Sequence, residues 1–247
     1  MKQWHESILV KNPEGEELKF ECVIKRSPRV RRLNLRMVRS DRLTLTIPRW
    51  ASLARAKSFL YGQENWLRRT SAEFPEEQSL SSHFTKGGKL CLNEIPLSVE
   101  WRSVPNSSVR DNQLSMDKVL FAIDPLQPME SCLLESCIDL GKQFLPSRLE
   151  RCIDQCGLIP KKIRVGNQRS RWGSCSSKGT ISLNWRILLL PYALGEYVLF
   201  HELAHLREMN HSKRYWSCLE KMIPDARNLD RELSRMGRRL IRLGHEY

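Results

Sequence analysis

The chain has 247 residues, of which 40% are hydrophobic and 28% charged, a composition typical of a globular protein with one large domain or two small ones. No apolar run approaches the roughly 20 residues that span a bilayer, and the first residues lack the apolar core of a signal peptide, so we expect a cytoplasmic protein with no membrane association. The net charge of +13 favours acidic partners, and the basic excess is spread along the chain rather than collected in a tail.

The first part of the chain, residues 1–125, is predicted to be mostly β-structure. Residues 30–48 alternate between apolar and polar side chains, which is the period-2 pattern of half-buried strands, and we predict a hairpin there. Ser52 is the predicted N-cap of a helix, and the polar residues 70–83 are predicted to form a loop. Further short strands are predicted over residues 89–91, 96–101 and 119–123.

The second part, residues 126–247, is predicted to be largely helical. Apolar residues at helical spacing fill two stretches, 128–145 and 147–156, and Pro146 is expected to kink or divide them because proline lacks an amide proton. Gly157 is the predicted C-cap. Strands are predicted at 162–165 and 180–185, and helices at 192–208 and about 225–243. The pattern predicts an α+β protein with a β-rich N-terminal portion.

The segment His201-Glu202-Leu203-Ala204-His205 lies in the predicted helix 192–208. Residues four apart share a helix face, so His201 and His205 can bind one zinc ion together. Zinc lowers the pKa of a water that it binds to about 7, and Glu202 can take the proton as general base while the water attacks a carbonyl carbon. The flanking residues are apolar on nearly all sides, which predicts a buried helix whose polar groups need a partner. We predict one Zn²⁺ ion per chain.

A third ligand must come from outside this helical turn, because catalytic zinc usually has three protein ligands and one open position. His211 lies six residues after His205, and the preceding Asn210 readily takes the left-handed conformation that ends a helix. A turn at Asn210 would bring His211 back towards the metal. The alternative is Glu220, a carboxylate on the next predicted helical stretch. We predict His211 and keep Glu220 as the alternative.

Several motifs together closely resemble the YgjP-like zinc metallopeptidases, a group related to the SprT and WLM zinc proteases. The motifs are Arg171-Trp172-Gly173-Ser174-Cys175, Ile181-Ser182-Leu183-Asn184, His201-Glu202-Leu203-Ala204-His205-Leu206, Asn210-His211-Ser212 and Tyr215-Trp216. The resemblance is strongest over residues 160–225. It implies a zincin-like, minigluzincin-type catalytic domain with an HExxH helix. It also implies that His201, His205 and His211 are the metal ligands, that Glu202 is the base, and that the substrate is a peptide or protein.

The segment Arg171–Cys175 is predicted to line the substrate cleft. In zincin-like folds the strand beside the cleft binds the substrate backbone by strand addition, and Gly173 permits close backbone approach. The alternative is that Trp172 belongs to the core and Gly173 to a simple turn. Two further residues, Asn184 and Tyr215, are candidates for polarising the substrate carbonyl, although buried Asn and Tyr side chains more often satisfy backbone groups.

Two basic clusters allow a contact with nucleic acid. The first is an arginine-rich stripe over residues 25–39, and the second is the charged face of the predicted last helix. The alternative is that each is a solvated charged face on an element packed against the core.

The motifs favour a zinc-dependent metallohydrolase that cleaves peptide bonds. A nucleic-acid-associated metalloprotein, processing DNA-linked proteins with little general proteolysis, is the first alternative. A metal-stabilised structural domain is the second, and Glu202 argues against it because a structural zinc site needs no base.

Overall fold

The computed structural model describes residues 3–11, 15–38, 41–72 and 79–244. The chain forms two compact units, Met1–Glu77 and Gln78–Tyr247. This division falls ahead of the boundary expected between residues 125 and 126. The physical reason is that apolar residues of the strands between 89 and 123 share one hydrophobic core with the helices that follow them. Among the described residues, no helix is long and apolar enough to cross a lipid bilayer.

The first unit contains a four-stranded sheet and two helices in its described part. Its elements are β1 (Gln3–Lys11), β2 (Glu17–Arg26), β3 (Asn34–Met37), β4 (Arg42–Ile47), α1 (Leu53–Tyr61) and α2 (Glu64–Ala72). The strand order is β1-β2-β4-β3, in which β2 and β4 are parallel and the other neighbours antiparallel. The predicted hairpin is confirmed as β3 and β4. The predicted N-cap is also confirmed, since the Ser52 hydroxyl accepts from the Arg55 amide. The helix after it is divided in two, because Gly62 caps the end of α1.

The predicted basic stripe lies in this first unit. Four of its arginines are exposed: Arg29, Arg31, Arg32 and Arg36. Arg26 instead packs within the unit, because its guanidinium donates to the Ala51 carbonyl at 2.9 Å and lies 5.5 Å from the centre of the Trp4 ring. Arg39 lies outside the described residues. Contact between this stripe and nucleic acid stays a prediction.

The second unit begins with a short helix, a four-stranded sheet and a long helix. These elements are α3 (Leu80–Thr85), β5 (Lys89–Leu90), β6 (Leu97–Ser103), β7 (Gln113–Leu114), β8 (Lys118–Ile123) and α4 (Met129–Cys156). The strand order is β5-β6-β8-β7. The predicted strands near residues 89, 97 and 119 are thereby confirmed. The predicted loop 70–83 is helical at both described ends, and residues 73–78 lie outside the described residues.

Pro146 does not divide α4, which runs unbroken for 28 residues. Proline removes one intrahelical hydrogen bond, but the helix continues because Leu145 and Leu149 on either side are fully buried in the core. α4 ends as predicted at Gly157, whose left-handed conformation (φ 70°) is one that glycine adopts without a steric penalty.

The remainder of the second unit carries the candidate site. Its elements are β9 (Lys162–Gly166), β10 (Gly173–Cys175), β11 (Thr180–Asn184), α5 (Tyr192–Ala204), α6 (Lys213–Met222) and α7 (Ala226–Leu240). The strand order is β10-β11-β9, with β10 antiparallel and β9 parallel to β11. Along α7, the apolar side chains Leu229, Leu233, Met236 and Leu240 pack against the core. The arginines of its charged face include Arg231, Arg235, Arg238 and Arg239, which are exposed, as expected for a core-packed helix with a solvated face.

Candidate metal centre

α5 carries two of the three candidate ligands close to its C-terminal end. His201 and His205 are one helical turn apart, and their ring centroids are 5.1 Å apart. The helix is buried on nearly all sides, as its sequence predicts, and its buried residues are Leu194, Gly195, Tyr197, Val198, Leu199, Phe200, Glu202, Leu203 and Ala204. The core therefore holds the backbone from which both imidazoles project.

His211 completes a cluster of three imidazoles. Its Nε2 atom lies 3.1 Å from Nε2 of His205 and 3.2 Å from Nε2 of His201. Two nitrogens that bind one zinc ion at about 2.0–2.1 Å and at tetrahedral angles lie roughly 3.3 Å apart. The two pairs that include His211 are thus spaced close to the separation expected for ligands of a single zinc ion, and all three ligand atoms lie within 4.8 Å of one another. Among the described residues, these histidines form the one group of three or more potential metal-binding side chains whose ligand atoms lie within 4.8 Å of one another.

The turn that returns His211 to α5 differs from the one expected. α5 ends at Ala204 with His205 as its C-cap residue. Asn210 does not adopt a left-handed conformation, since Asn106 is the one described non-glycine residue with a positive φ. The chain instead turns before Ser212, whose hydroxyl accepts from the Tyr215 amide and caps α6. His211 therefore immediately precedes a capped helix.

The alternative third ligand, Glu220, lies away from the three imidazoles. It sits on α6, where its carboxylate pairs with the Arg227 guanidinium at 2.5 Å. The Arg227 guanidinium also lies 4.6 Å from the centre of the Trp216 ring. The structure brings His211, and not Glu220, to His201 and His205.

Two of the imidazoles have their second ring nitrogen engaged. Nδ1 of His205 lies 2.9 Å from the Glu208 carbonyl oxygen, which can only accept, so this nitrogen carries the proton. Nδ1 of His201 lies 3.3 Å from the Tyr197 hydroxyl, and that hydroxyl donates to Asp230 at 2.7 Å. In both rings the proton on Nδ1 leaves a lone pair on Nε2, the atom that faces the cluster.

Burial also keeps these rings in the form that binds metal. Burial, together with the nearby charges of His205 and His211, lowers the pKa of His201 to about 3. Burial likewise lowers the pKa of His205. Both imidazoles are therefore neutral at physiological pH, and a neutral imidazole is the ligand form of histidine.

Glu202 follows His201 directly on α5 and is buried. Glu202 is 5% exposed, and its buried Oε2 atom has no hydrogen-bond partner among the residues that the structure describes. Burial raises the pKa of Glu202 to about 8, while the charge of Arg171 acts in the opposite direction. A buried carboxylate with a free oxygen gains stabilisation from a nearby cation, so this side chain fits a metal centre.

Gly173 of β10 provides the room for Glu202. A Cβ atom placed on Gly173 would lie 2.6 Å from Oε1 and 2.7 Å from Cγ of Glu202, closer than real Cβ contacts allow. The close approach expected at Gly173 is therefore to the Glu202 side chain.

Replacing Gly173 by alanine is expected to displace the Glu202 carboxylate. We expect the peptide-cleaving activity predicted from the sequence to fall by about 100-fold, because a shift of about 1 Å in the predicted general base would have that effect. We also expect a loss of about 1–3 kcal/mol in stability from overpacking. Activity and thermal unfolding measure the two effects. Gly166→Ala on β9 is the matched control, since a Cβ there meets Gln168 at an ordinary 3.6 Å. Wild-type activity in Gly173→Ala would contradict the prediction.

The other members of the Arg171–Cys175 segment surround Gly173. Arg171 is exposed, while Ser174 and Cys175 are half-buried in β10. Trp172 packs against the core and against Gly237 of α7, where an added Cβ would lie 2.9 Å from Cζ2 of the indole ring. Trp172 thus matches the core alternative, whereas Gly173 lies in a strand rather than a simple turn. A role of this segment in substrate binding stays a prediction.

Asn184 and Tyr215 satisfy backbone groups, which was the alternative to polarising a substrate. The buried Asn184 amide donates to the carbonyl oxygens of Gln168 and Arg171 at 2.8 and 2.9 Å and so holds the loop before β10. The Tyr215 hydroxyl donates to the His201 carbonyl at 3.2 Å, and its ring stacks on His205 with 4.6 Å between centroids. Asn184 thus fixes the segment before β10, and Tyr215 contacts His201 and His205.

Tyr197 and Asp230 were not identified from the sequence. Tyr197 had a detectable signal, because it precedes His201 by one helical turn and so shares its helix face. Asp230 had none, since it lies on a different helix and reaches the site only through tertiary packing.

An α+β unit with three converging imidazoles, and a buried glutamate that follows one of them in the sequence, defines a candidate metalloenzyme. The model of the YgjP-like metallopeptidase domain family matches residues 31–236, and the chain belongs to this family. Family membership supports a hydrolase that requires a divalent metal and acts on peptides or proteins.

Comparison with solved structures gives a similarity to the crystal structure of the metallopeptidase zymogen of Pyrococcus abyssi abylysin. The two chains are 30% identical, and the match covers 38% of this chain and 95% of that chain with a TM-score of 0.34. No match was found among the curated proteins.

Proposed function

We propose that the protein is a zinc metallopeptidase with a zincin-like, minigluzincin-type catalytic domain. His201, His205 and His211 hold one zinc ion, and Glu202 is the general base. The observation that carries the proposal is the convergence of three Nε2 atoms, with distances of 3.1 Å from His211 to His205 and 3.2 Å from His211 to His201. The buried Glu202, which follows His201 on α5, supports it.

The ligand set favours zinc among the common divalent ions. Imidazole nitrogen suits zinc, whereas magnesium and calcium prefer oxygen ligands. Three protein ligands are the number found in catalytic zinc sites, and structural sites usually have four. The buried Glu202 carboxylate, which is not one of the three ligands, also favours a catalytic site, because a structural zinc site needs no base.

Zinc, when bound, supplies a Lewis acid that makes water acidic near neutral pH and polarises a carbonyl group. In the proposed reaction, Glu202 acts as the proton acceptor. Its Oε2 atom, which has no hydrogen-bond partner in the described part of the chain, accepts the proton of the attacking water. It then donates this proton to the amine that leaves as the peptide bond breaks. Gly173 leaves space for the carboxylate to do so.

The substrate backbone is proposed to pair with β10. This strand lies at one edge of the sheet formed by β9, β10 and β11, and an edge strand presents unpaired backbone groups to an extended peptide. Because Gly173 in β10 touches Glu202, a peptide paired with this edge would pass beside the general base. The segment Arg171–Cys175 thereby lines the cleft.

Metal analysis combined with a peptide-library assay tests the proposal. We expect one zinc ion per chain, loss of cleavage after treatment with a chelator, and recovery when zinc is added back. Magnesium added to the metal-free protein is the control and should restore nothing. Cleavage that continues in metal-free protein, or a chain that binds no zinc, would overturn the proposal.

A further inference from the structure

α7 reaches the metal centre through a chain of two hydrogen bonds. The Tyr197 hydroxyl donates to Oδ1 of Asp230 at 2.7 Å and lies 3.3 Å from Nδ1 of His201. Tyr197 is 1% exposed, so water does not compete at its hydroxyl. Asp230 belongs to α7, whereas Tyr197 and His201 belong to α5.

The chemistry of these groups fixes the direction of both hydrogen bonds. An ionised carboxylate only accepts, so the one proton of the Tyr197 hydroxyl lies between it and Asp230. The phenol oxygen then has only lone pairs to offer to His201. Nδ1 of His201 must therefore be the donor, and in a neutral imidazole this leaves Nε2 without a proton.

The two ligands on α5 reach the same tautomer by different means. For His205 the acceptor is a backbone carbonyl, that of Glu208, which is present whatever the side chain is. For His201 the acceptor is a tyrosine, which could itself donate. Only the carboxylate of Asp230 removes that option. The tautomer of His201 therefore depends on the Asp230 side chain, which can be substituted.

We infer that Asp230 is a positioning residue of the metal centre: acting through Tyr197, it holds His201 in the tautomer and ring orientation that bind metal through Nε2. The inference rests on the proposed zinc function. A purely structural role, in which Asp230 only ties α7 to α5, is the alternative. Loss of a partner that orients a metal-binding histidine typically costs about 10–100-fold in metal affinity.

Zinc affinity, measured by competition with a chromophoric chelator, tests the inference. In Asp230→Ala the freed Tyr197 hydroxyl donates to Nδ1 and favours the tautomer with the proton on Nε2, so we expect affinity to fall about 10–100-fold. Asp230→Asn retains an oxygen that accepts from Tyr197 and should keep most of the affinity. Glu232→Ala removes an exposed carboxylate from the same helix and is the matched control, with wild-type affinity expected.

A double-mutant cycle separates positioning from a structural tie. Tyr197→Phe removes the hydroxyl that would stabilise the wrong tautomer of His201. Adding Asp230→Ala to Tyr197→Phe should therefore change zinc affinity by less than about twofold, because Asp230 acts through this hydroxyl. Additive losses would show that Asp230 does not act through Tyr197. Wild-type affinity in Asp230→Ala together with a lowered melting temperature would establish the purely structural role and overturn the inference.

A readout on the metal-free protein separates this inference from the proposed function. Long-range proton–nitrogen NMR correlations should show the His201 proton on Nδ1 in the wild type and on Nε2 in Asp230→Ala. The same tautomer in both proteins would overturn the inference, whatever metal the wild type binds. If the tautomer of His201 differs between the wild type and Asp230→Ala but the wild type binds no zinc, the proposed function is overturned and the inference stands.

Discussion

Glu202→Gln is expected to lose peptide-cleaving activity by about 100-fold or more while it retains the metal. Glutamine matches glutamate in size and fills the space beside Gly173, but its amide cannot take a proton from water. General acid–base groups contribute about 10²–10⁴-fold to rate, so removal of the base should reduce kcat by that order. Single-turnover cleavage of a peptide identified from the library measures the loss, and metal analysis of the same sample confirms that zinc stays bound.

The matched control for this substitution is Glu196→Gln. Glu196 lies on α5 as well, and its replacement removes the same charge in the N-terminal half of the helix. Its activity should equal that of the wild type. Equal activity in Glu202→Gln and the wild type would contradict the assignment of Glu202 as the base, and it would leave the three histidines as a metal site without this catalytic group.

His211→Ala is expected to abolish stoichiometric zinc binding at concentrations that saturate the wild type. Two imidazoles from one helical turn remain in this variant, and the loss of a direct ligand should exceed the roughly 10–100-fold that the loss of an outer partner costs. Because His211 is exposed, its truncation should change the free energy of unfolding of the metal-free protein by less than about 0.5 kcal/mol. Equilibrium dialysis against zinc and thermal unfolding measure the two quantities.

Glu220→Ala is the companion variant for His211→Ala. Glu220 pairs with Arg227 on the surface, so its loss should leave zinc stoichiometry at the wild-type level. The reverse pattern, with full stoichiometry in His211→Ala and loss in Glu220→Ala, would show that the carboxylate is the third ligand and that the structural convergence of the histidines is misleading.

The sequence predicts most clearly what depends on local periodicity. The apolar flanks of the H-E-x-x-H segment predict a buried helix, and α5 is buried on nearly all sides. The caps at Ser52 and Gly157 follow from residue types with strong conformational preferences. The approach of His211 is also expected, although the turn expected at Asn210 is not the one that forms.

The differences arise where tertiary packing outweighs local preference. Pro146 should break a helix, but burial on both sides of it keeps α4 continuous. The strands between residues 89 and 123 have a recognisable pattern, yet the pattern does not show which core they join, and so the predicted boundary at residue 125 differs from the division at residue 77. Asp230 reaches its position through the docking of α7, which periodicity does not describe.

The three imidazoles differ in how deeply the fold buries them, and in the proposed centre this difference would affect metal exchange. His201 and His205 are half-buried on a helix that is anchored in the core, whereas His211 is exposed in the connection between α5 and α6. Local opening of a protein begins in exposed connections before it reaches buried helices. In the proposed centre, His211 would be the first ligand to dissociate from the ion and the last to bind it. The rate at which the ion enters or leaves would therefore be set by the short connection that carries His211, independently of the stability of the core below it.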